Sequence, residues 1–378
     1  MDYLLTDDQK MLKDMVEKFS RDRIKPVARD NDRNQTFPAD LIKELADLGL
    51  LSVPFTPQYG GAGMDYVSYF IAMEAISRHC AATGVIISVN TLCADLIYQL
   101  GSESQKDKYL PDLCAGRRLG CFCLTEPQAG SDAAAIKTTA KLNGDKWVLN
   151  GTKQFITNAP QAEIAIVFAR TDPARVKNGI TAFIVEKDTP GYRVGKLEEK
   201  LGVKASSTAE VIFEDCLVAK ENQLGPLNQG FKIAKAALAG GRIGIAAQAL
   251  GIAKASIEDA LTYAKERIQF DQPIAEFQGL KWYFARMQTE YEAAWLLTYR
   301  AALMKDLKLP CIKEASMAKL KASEVAEFCA SKAVQILGGY GYTKDFNPER
   351  YFRDAKVTQI YEGTSEIQRE VIVGEILK

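Results

Sequence analysis

The spacing of apolar residues divides the chain into helical and alternating stretches. From Thr6 to about residue 120, apolar positions recur every three to four residues, as they do along one face of an α-helix. Thr6 is followed three residues later by Gln9, the signature of a capping box, so the first helix is predicted to begin at this point. Further helices are predicted at residues 38–48, 67–78 and 85–100.

At about residue 119 the pattern changes to an alternation of apolar and polar positions, which is typical of strands. The pairs Asn143-Gly144 and Asn150-Gly151 favour two-residue hairpin turns, so two consecutive hairpins are predicted. Short strands at turn-separated intervals indicate a compact antiparallel β domain. The predicted strands are residues 140–142, 147–149, 154–156, 164–169, 181–185 and 210–213.

The helical period returns after the strands and continues to the end of the chain. Residues 231–267, 277–305 and 312–337 are each long enough to form a bundle helix, and a helical tail follows them. The first of these stretches is rich in Ala and Gly at residues 234–249, a composition that suits close packing between helices. We therefore expect a helical bundle and an oligomeric protein.

This order of elements predicts an α+β fold with three domains. The predicted N-terminal domain is all-helical and covers residues 1–120, and a central antiparallel β domain covers residues 121–225. A C-terminal four-helix bundle is predicted for residues 226–378.

Composition mainly excludes classes of function. The chain is 47% hydrophobic and 25% charged, as ordinary globular proteins are. Its 48 basic and 48 acidic residues cancel, so the basic excess typical of nucleic-acid binding is absent. The first residues show neither a signal-peptide nor a transit-peptide pattern, and we expect no apolar run to approach the ~20 residues of a membrane span. We expect a cytoplasmic protein without nucleic-acid or membrane partners.

Histidine and cysteine usage narrows the chemistry further. His79 is the only histidine, which excludes most Ser-His-Asp triads and His-based zinc sites. None of the eight cysteines forms a C-x-x-C pair, so reduced and buried thiols are expected. Cys121 and Cys123 alternate on a predicted strand, where packing and a two-residue metal chelate both remain open. No metal site is predicted.

Three segments carry residues that suit a ligand site. Residues 124–132 (LTEPQAGSD) follow a strand, and their small and hydroxyl-bearing residues allow a flat ring or a phosphate to approach the backbone. A simple strand-exit turn explains this segment equally well. In residues 154–158 (QFITN), Phe155 could be a hairpin core residue. In residues 360–368 (IYEGTSEIQ), Glu362 could be an acid favoured by the dipole of a helix N-terminus.

These segments resemble motifs of the acyl-CoA dehydrogenase family and occur in the same order and spacing. The resemblance covers essentially the whole chain and is to the bacterial short-chain, butyryl-CoA dehydrogenase-like members in particular. The resemblance implies FAD as the cofactor, and no G-x-G-x-x-G follows a strand to indicate a Rossmann half. Phe155 stands where the family usually has a Trp against the flavin, and Ser131 is implied to face the CoA as well. The residues implied to contact the flavin are Phe122, Leu124, Thr125, Ser131, Phe155, Thr157, Thr364 and Glu366.

Two bundle segments resemble the part of the family's site that holds the pyrophosphate and adenine, often across a subunit boundary. Arginine suits a diphosphate because its guanidinium donates paired hydrogen bonds. Asp271 replaces the Gly that usually follows Phe270, so the local turn departs from the family pattern. The resemblance also implies a homotetramer, a dimer of dimers. The residues implied in this part are Arg267, Phe270, Gln278, Gln335, Gly338 and Gly339.

The resemblance assigns the catalytic base to Glu362. Some members carry the base on the bundle helix, immediately before the residue that matches Arg242, but that position is Gly241 in this chain. Glycine has no side chain to accept a proton, so Glu362 is the remaining candidate. The implied reaction removes the α-hydrogen of an acyl-CoA as a proton and the β-hydrogen as a hydride to the flavin. The product is a trans-2-enoyl-CoA, and the electrons pass to an electron-transferring flavoprotein.

The substrate is constrained less sharply. Gly240 and Gly241 are expected to leave room beside the acyl group, which favours a compact substrate such as butyryl-CoA or cyclohexanecarboxyl-CoA. Asp95 is expected on a solvated helix face, and Ala239 departs from an Asp usual in the family. Alternatives are a glutaryl-CoA-type dehydrogenase, a CoA-independent relative (nitroalkane oxidase or flavin monooxygenase) and a non-enzymatic assembly factor. The residues implied to bind substrate are Ser131, Thr91, Gly241, Arg242, Tyr361 and Gly363.

Overall fold

The N-terminal part of the chain is helical in the computed structural model, which describes residues 2–175 and 177–378. The predicted capping box is confirmed: Thr6 Oγ1 accepts a hydrogen bond from the Gln9 N–H, and the Gln9 side chain accepts one from the Thr6 N–H. One turn of π-helix joins the first two helices. The helices are α1 (Asp7–Phe19), α2 (Lys25–Asn34), α3 (Ala39–Asp47), α4 (Tyr66–His79), α5 (Ala81–Leu100) and α6 (Glu103–Cys114).

A single eight-stranded sheet follows. Seven of its strands lie side by side in the order β6-β7-β3-β2-β4-β5-β8, and the remaining strand, β1, pairs with β4. The pairing is antiparallel, as predicted, except that β1 runs parallel to β4 and one residue pair joins β2 to β4 in parallel. The strands are β1 (Gly120–Cys123), β2 (Thr139–Asn143), β3 (Lys146–Thr157), β4 (Ile164–Arg170), β5 (Ile180–Glu186), β6 (Tyr192–Leu197), β7 (Thr208–Ala219) and β8 (Gln223–Leu224).

Only one of the two predicted hairpin turns forms. Asn143-Gly144 lies between β2 and β3 as predicted, whereas the prediction of a turn at Asn150-Gly151 is wrong, because β3 continues through both residues. The pairing of β3 with β7 is irregular here, and Gly151 has φ 149°. A Cβ on Gly151 would lie 2.7 Å from the Cα of Thr138, so the glycine is required by a close backbone approach.

Long helices form the C-terminal part, in agreement with the predicted bundle. The helix α9 packs against α7, α8 and α11, and a short β-hairpin separates α7 from α8. The α+β fold class is therefore confirmed, while the domain boundaries at residues 120 and 225 stay predictions. The elements are α7 (Gly230–Glu266), β9 (Ile268–Gln269), β10 (Gln272–Pro273), α8 (Gln278–Asp306), α9 (Ile312–Leu337), α10 (Gly339–Tyr342), α11 (Pro348–Val357) and α12 (Ser365–Ile376).

Two helices have the length and hydropathy of a membrane span. Within residues 2–175 and 177–378, these are α5 and α7. The expectation that no apolar run approaches this length was therefore wrong. In both helices 89% of the most apolar stretch is buried inside the protein, as is usual for core helices. Their apolar character follows from contact with other elements on all sides.

The core has two large parts that meet at α7. One contains buried apolar residues of α4, α7 and α9, among them Phe70, Ile243 and Ala326. The other joins α5 and α6 to one face of the sheet through residues such as Ile97 and Phe168. The position of α7 between α4, α5, α8 and α9 makes it the central element of the fold.

We predict that Gly251→Ala in α7 destabilises the protein by about 1–3 kcal/mol, because overpacking at a rigid contact costs this much. A Cβ at Gly251 would lie 2.6 Å from the Arg78 backbone nitrogen and 2.6 Å from the Glu74 carbonyl oxygen, and neither backbone atom can move independently of α4. The matched control is Gly374→Ala in α12, where a Cβ would meet nothing within 4 Å. Circular dichroism melts should show a lower Tm for the first variant only. Equal melting temperatures would contradict the prediction.

Candidate active site

Glu362 lies in the loop between α11 and α12, in an unusual backbone conformation. Its φ is 54°, and Gly363 follows with φ 93°, so two consecutive residues are in the left-handed region. A non-glycine residue in this region costs free energy, and it persists where the surrounding structure holds it. Such residues are concentrated at functional sites.

Two side chains from the bundle hold this loop. Gln368 Nε2 donates to the carbonyl oxygens of Glu362 at 3.1 Å and Gly363 at 2.8 Å. Lys319 Nζ, from α9, donates to the Gly363 oxygen at 2.7 Å. Neither residue was identified from the sequence. Gln368 lies within the quoted segment 360–368, but a lysine on a long helix gives no local signal of such a contact.

The Glu362 side chain is directed at α7. A Cβ built on Gly241 would lie 2.5 Å from Glu362 Oε2, so the carboxylate occupies the volume that a side chain at residue 241 would need. Oε2 is buried and has no hydrogen-bond partner among the described residues. An unpaired carboxylate oxygen in a buried position is available to take a proton from a ligand.

Burial raises the pKa of Glu362 to about 6, and the positive charges of Arg242 and Lys319 limit the rise. Burial in turn lowers the pKa of Lys319 to about 8, while the Glu362 carboxylate opposes this change. Arg242 is 4% exposed and donates to Ser316 Oγ at 3.1 Å. The carboxylate is therefore ionised at neutral pH, but it is more basic than an exposed glutamate.

A narrow cavity with about 10 Å³ of internal space lies beside Gly241. Thr91 lines it, as the resemblance implies. Asp95 also lines it and is only 8% exposed, so the expectation of a solvated face was wrong. Its Oδ2 lies 3.3 Å from Lys305 Nζ, which belongs to α8. The complete lining is Tyr66, Tyr69, Ser88, Thr91, Leu92, Asp95, Gly240 and Gly241.

The free space expected at Gly240 is also occupied. A Cβ on Gly240 would lie 3.1 Å from Lys305 Nζ and 3.7 Å from Asp95 Oδ2. The two glycines thus give room to protein side chains, Lys305 and Glu362, rather than to an acyl group. The sequence contains no signal for this, because Asp95 and Lys305 are 210 residues apart.

The structure brings together the two β-domain segments that were predicted to contact a flavin. The Gln154 N–H donates to the Thr125 oxygen at 2.8 Å. The pairing of β3 with β7 is irregular between Lys153 and Ile156, and Phe155 has φ 58° with 62% of its surface exposed. This bulge directs a large aromatic side chain outwards, where a flat ring could stack on it.

A buried ion pair fixes the first segment. Lys153 Nζ donates to Glu126 Oε1 at 2.7 Å and to the Leu124 carbonyl oxygen at 3.1 Å. Burial works against the ionised form of Glu126, but the attraction of Lys153 and hydrogen bonds to the carboxylate lower its pKa to about 2. Beyond this anchor, Gly130 has nothing within 4 Å of a hypothetical Cβ, and Ser131 is exposed. The segment is rigid at one end and open at the other.

The flavin contacts implied near α12 lie at the N-terminus of that helix. The Thr364 hydroxyl accepts the Ile367 N–H at 3.3 Å and caps the helix, while Glu366 is exposed in its first turn. The Ser365 hydroxyl is buried without a partner among the described residues. Tyr361 donates to Gln248 Oε1, so its hydroxyl is already engaged within the protein.

The second group of implied cofactor residues is assembled elsewhere. Arg267, Gly338 and Gly339 line one open cavity, and Phe270 beside it is 86% exposed. Phe270 and Asp271 form the two-residue turn of the β9–β10 hairpin with φ 52° and 61°, so the turn forms despite the missing glycine. Gln278 and Gln335 are exposed. The structure therefore brings Arg267, Gly338 and Gly339 together at a cavity whose lining does not include Glu362.

Comparison with known proteins identifies the family. Models of the N-terminal, middle and C-terminal domains of acyl-CoA dehydrogenases match residues 6–117, 121–216 and 228–377. The chain belongs to the acyl-CoA dehydrogenase family. It is of the short-chain, butyryl-CoA dehydrogenase type, an oxidoreductase that acts on the CH–CH bond of acyl-CoA. This confirms the family inferred from the sequence, whose members are FAD-dependent.

Individual relatives match along their whole length. An acyl-CoA dehydrogenase of Bacillus subtilis is 52% identical over 99% of both chains. The short-chain specific acyl-CoA dehydrogenase of Clostridium acetobutylicum is 48% identical over 100% of both. Among solved structures, butyryl-CoA dehydrogenase from Megasphaera elsdenii superposes with a TM-score of 0.98 at 44% identity, with complete coverage of both chains. A chain from a structure of the electron transferring flavoprotein of Acidaminococcus fermentans gives 0.98 at 48% identity and the same coverage.

The pKa of Glu362 predicts a pH-dependent effect of Glu362→Gln on stability. An acid whose pKa is raised on folding destabilises the folded state above that pKa, and the effect disappears below the unfolded-state value. The variant should therefore be more stable than wild type at pH 8, by about 2 kcal/mol, and the difference should shrink as the pH falls towards 4.5 and disappear below it. Thermal melts at pH 5 and pH 8 measure it. Glu370→Gln, at an exposed position of α12, is the control, and an equal gain at both pH values would contradict the prediction.

Proposed function

We propose that the enzyme removes the α- and β-hydrogens of a compact acyl-CoA thioester and that Glu362 is the base for the α-proton. The observation that carries this proposal is the buried, unpartnered Oε2 of Glu362, whose pKa is raised to about 6. It faces a cavity lined by α4, α5 and α7, and the product would be a trans-2-enoyl-CoA. A base with a pKa near the operating pH combines the required ionised state with sufficient proton affinity.

A thioester α-proton is only weakly acidic, so its removal requires a group that stabilises the resulting enolate charge. The Glu362 N–H donates no hydrogen bond among the described residues, so it is available to hold the thioester oxygen. A donor at this oxygen would stabilise the enolate charge that develops as the proton leaves. Gln368 and Lys319 fix the same loop, so that the amide and the carboxylate keep one relative position. Loop, base and donor would act as one preorganised unit.

The residues present suit FAD. The exposed aromatic face of Phe155, the open backbone at Gly130 and the unpartnered hydroxyl of Ser365 could contact a flavin ring, and Arg267 could pair with a diphosphate. When bound, FAD supplies the hydride acceptor for the β-hydrogen. The residues that would hold the flavin part are Phe122, Leu124, Thr125, Ser131, Phe155, Thr157, Thr364 and Glu366.

We predict that Glu362→Gln keeps its yellow colour but is reduced by butyryl-CoA several orders of magnitude more slowly, because an amide cannot accept the α-proton. Anaerobic stopped-flow absorbance at the flavin band measures this rate. For wild type, the rate should rise with pH through an apparent pKa of about 6, as Glu362 ionises. Glu370→Gln, which removes an exposed acid further along α12, should keep the pH profile with the same apparent pKa. Unchanged bleaching of Glu362→Gln would contradict the assignment.

The cofactor site is proposed to be shared by two copies of the chain. Gly241, which lies beside Glu362, is on α7, and Arg267, which lines the adenine-side cavity, directly follows this helix. The two residues are 26 positions apart, which is about 39 Å at 1.5 Å per residue. One FAD molecule does not extend over this distance. The flavin-side residues of one protomer and Arg267, Phe270, Gln278, Gln335, Gly338 and Gly339 of its neighbour would form one complete site.

Exposed apolar residues of the bundle support an assembly of this kind. Trp282 is 65% exposed, Leu296 45% and Leu307 61%, and all three are in or directly after α8. Clusters of large apolar side chains on a surface commonly mark contacts with another protein molecule. A homotetramer built as a dimer of dimers would cover them.

We predict complementation between two inactive variants. Arg267→Ala and Glu362→Gln should each abolish turnover of butyryl-CoA when expressed alone. Random pairing of the two chains produces mixed dimers, each with one intact site and one doubly altered site, so about a quarter of wild-type activity should return. Tagging each chain differently allows the mixed species to be purified and assayed. Activity no higher than that of the separate variants would contradict a shared site.

For the electrons, we propose an electron-transferring flavoprotein as the acceptor. The support is the likeness to the chain from the electron transferring flavoprotein structure of Acidaminococcus fermentans. Reduced enzyme should then reoxidise rapidly with such a flavoprotein and slowly with air, whereas rapid peroxide formation would indicate an oxidase.

A further inference from the structure

The inner end of the acyl cavity is charged. Asp95 on α5 and Lys305 on α8 form an ion pair with 11% and 19% of their side chains exposed, and Lys305 Nζ also lies 4.2 Å from the centre of the Tyr66 ring. Hydroxyl groups of Tyr69 and Ser88, 3.4 Å apart, line the wall next to them. The inner end of a pocket for an apolar acyl chain would usually be lined by apolar side chains.

The ion pair is close to the catalytic carboxylate. Lys305 Nζ lies beside Gly240, and Glu362 Oε2 lies beside Gly241. The two glycines are neighbours in the chain, so their Cα atoms are about 3.8 Å apart. Tyr69 lines the same cavity, and a Cβ on Gly244, one turn beyond Gly241, would lie 2.7 Å from its hydroxyl. An acyl chain that begins at Glu362 therefore meets the pair after only a few atoms.

Each carboxylate beside this cavity has its own positive charges. Arg242 and Lys319 act on Glu362, whereas Lys305 is the ammonium group that pairs with Asp95 at the inner end. Tyr66 and Tyr69 are neutral, because burial raises the pKa of both phenols. Asp306, behind Tyr66, accepts the backbone N–H groups of Tyr66 and Val67 and adds no positive charge. A second carboxylate on a substrate would have to compete with Asp95 for Lys305.

We propose that the Asp95–Lys305 pair is the specificity-determining wall of the acyl pocket, limiting substrates to short chains and excluding acyl groups with a terminal carboxylate. This inference rests on the proposed function, since it takes Glu362 as the point where the chain begins. Lys305 blocks the pocket physically, and Asp95 both holds Lys305 in place and repels an incoming anion. The structure thereby favours butyryl-type over glutaryl-type substrates, two alternatives that the sequence leaves open.

The charge role is tested with Asp95→Asn, which keeps the shape of the side chain. Lys305 then becomes an uncompensated cation that stays over the Tyr66 ring and is partly solvated, so the fold should tolerate the change. We expect the ratio of kcat/KM for glutaryl-CoA to that for butyryl-CoA to rise at least tenfold. Asp22→Asn, at an exposed ion pair on the surface, is the matched control and should leave the ratio unchanged. A ratio within twofold of wild type in Asp95→Asn would overturn the charge role.

The blocking role is tested with the double variant Asp95→Ala/Lys305→Ala. Removing both partners leaves no unpaired buried charge, so this variant should fold even where a single truncation does not. The ratio of kcat/KM for hexanoyl-CoA to that for butyryl-CoA should rise at least tenfold, and an unchanged ratio would overturn the wall. Bleaching of the flavin by butyryl-CoA is recorded in every variant. If butyryl-CoA fails to bleach wild type, the proposed function fails; if it bleaches every variant and no ratio moves, only the wall fails.

Discussion

The structure depends on a face of α7 that has no side chains. At Gly241 and Gly244 a Cβ would lie 2.7 Å or less from functional groups of other elements, and at Gly240 it would lie 3.1 Å from Lys305 Nζ. Lys305 approaches the first glycine, Glu362 the second, and Ser88 and Tyr69 the third. Glycine is unfavourable within a helix by roughly 1 kcal/mol relative to alanine. The helix is stable in spite of this cost because it is buried on several sides, and the glycines leave room for side chains of α5, α8 and the loop that carries Glu362.

Two buried glutamates show how the surroundings decide the behaviour of the same side chain. Glu126 has a lysine at 2.7 Å and backbone donors, and its pKa falls to about 2. Glu362 has only more distant positive charges and an unpartnered oxygen, and its pKa rises to about 6. The first is a structural anion that fixes the flavin-side segment. The second keeps the proton affinity that a base requires.

Local rules predict much of this fold. The capping box at Thr6, the three long bundle helices and the change of period near residue 119 are all found, because each depends on neighbouring residues. The turn at Asn150-Gly151 was predicted wrongly because the same residue pair also suits a strand irregularity, and only the approach of Thr138 decides between them. In the site, too, motifs of neighbouring residues were predicted, whereas contacts between distant residues were not.

Glu362 could be proposed from its motif, whereas the residues around it could not. Lys319 lies 43 positions before Glu362 and Lys305 lies 210 positions after Asp95, so their contacts exist only once the helices are packed. Asp95 illustrates the limit most clearly. A single acid in an otherwise apolar helix usually marks a solvated face, and this one is buried because a lysine from another helix neutralises it.

The contact between Glu362 and Gly241 also has an evolutionary consequence. A carboxylate attached at residue 241 would occupy the volume that the Glu362 carboxylate already fills, so one protein cannot hold a base at both positions without moving the helix or the loop. Relocating the base by single substitutions would pass through an intermediate with either no base or two repelling acids in one space. Lineages that differ in the position of the base are therefore separated by a barrier that only paired changes can cross.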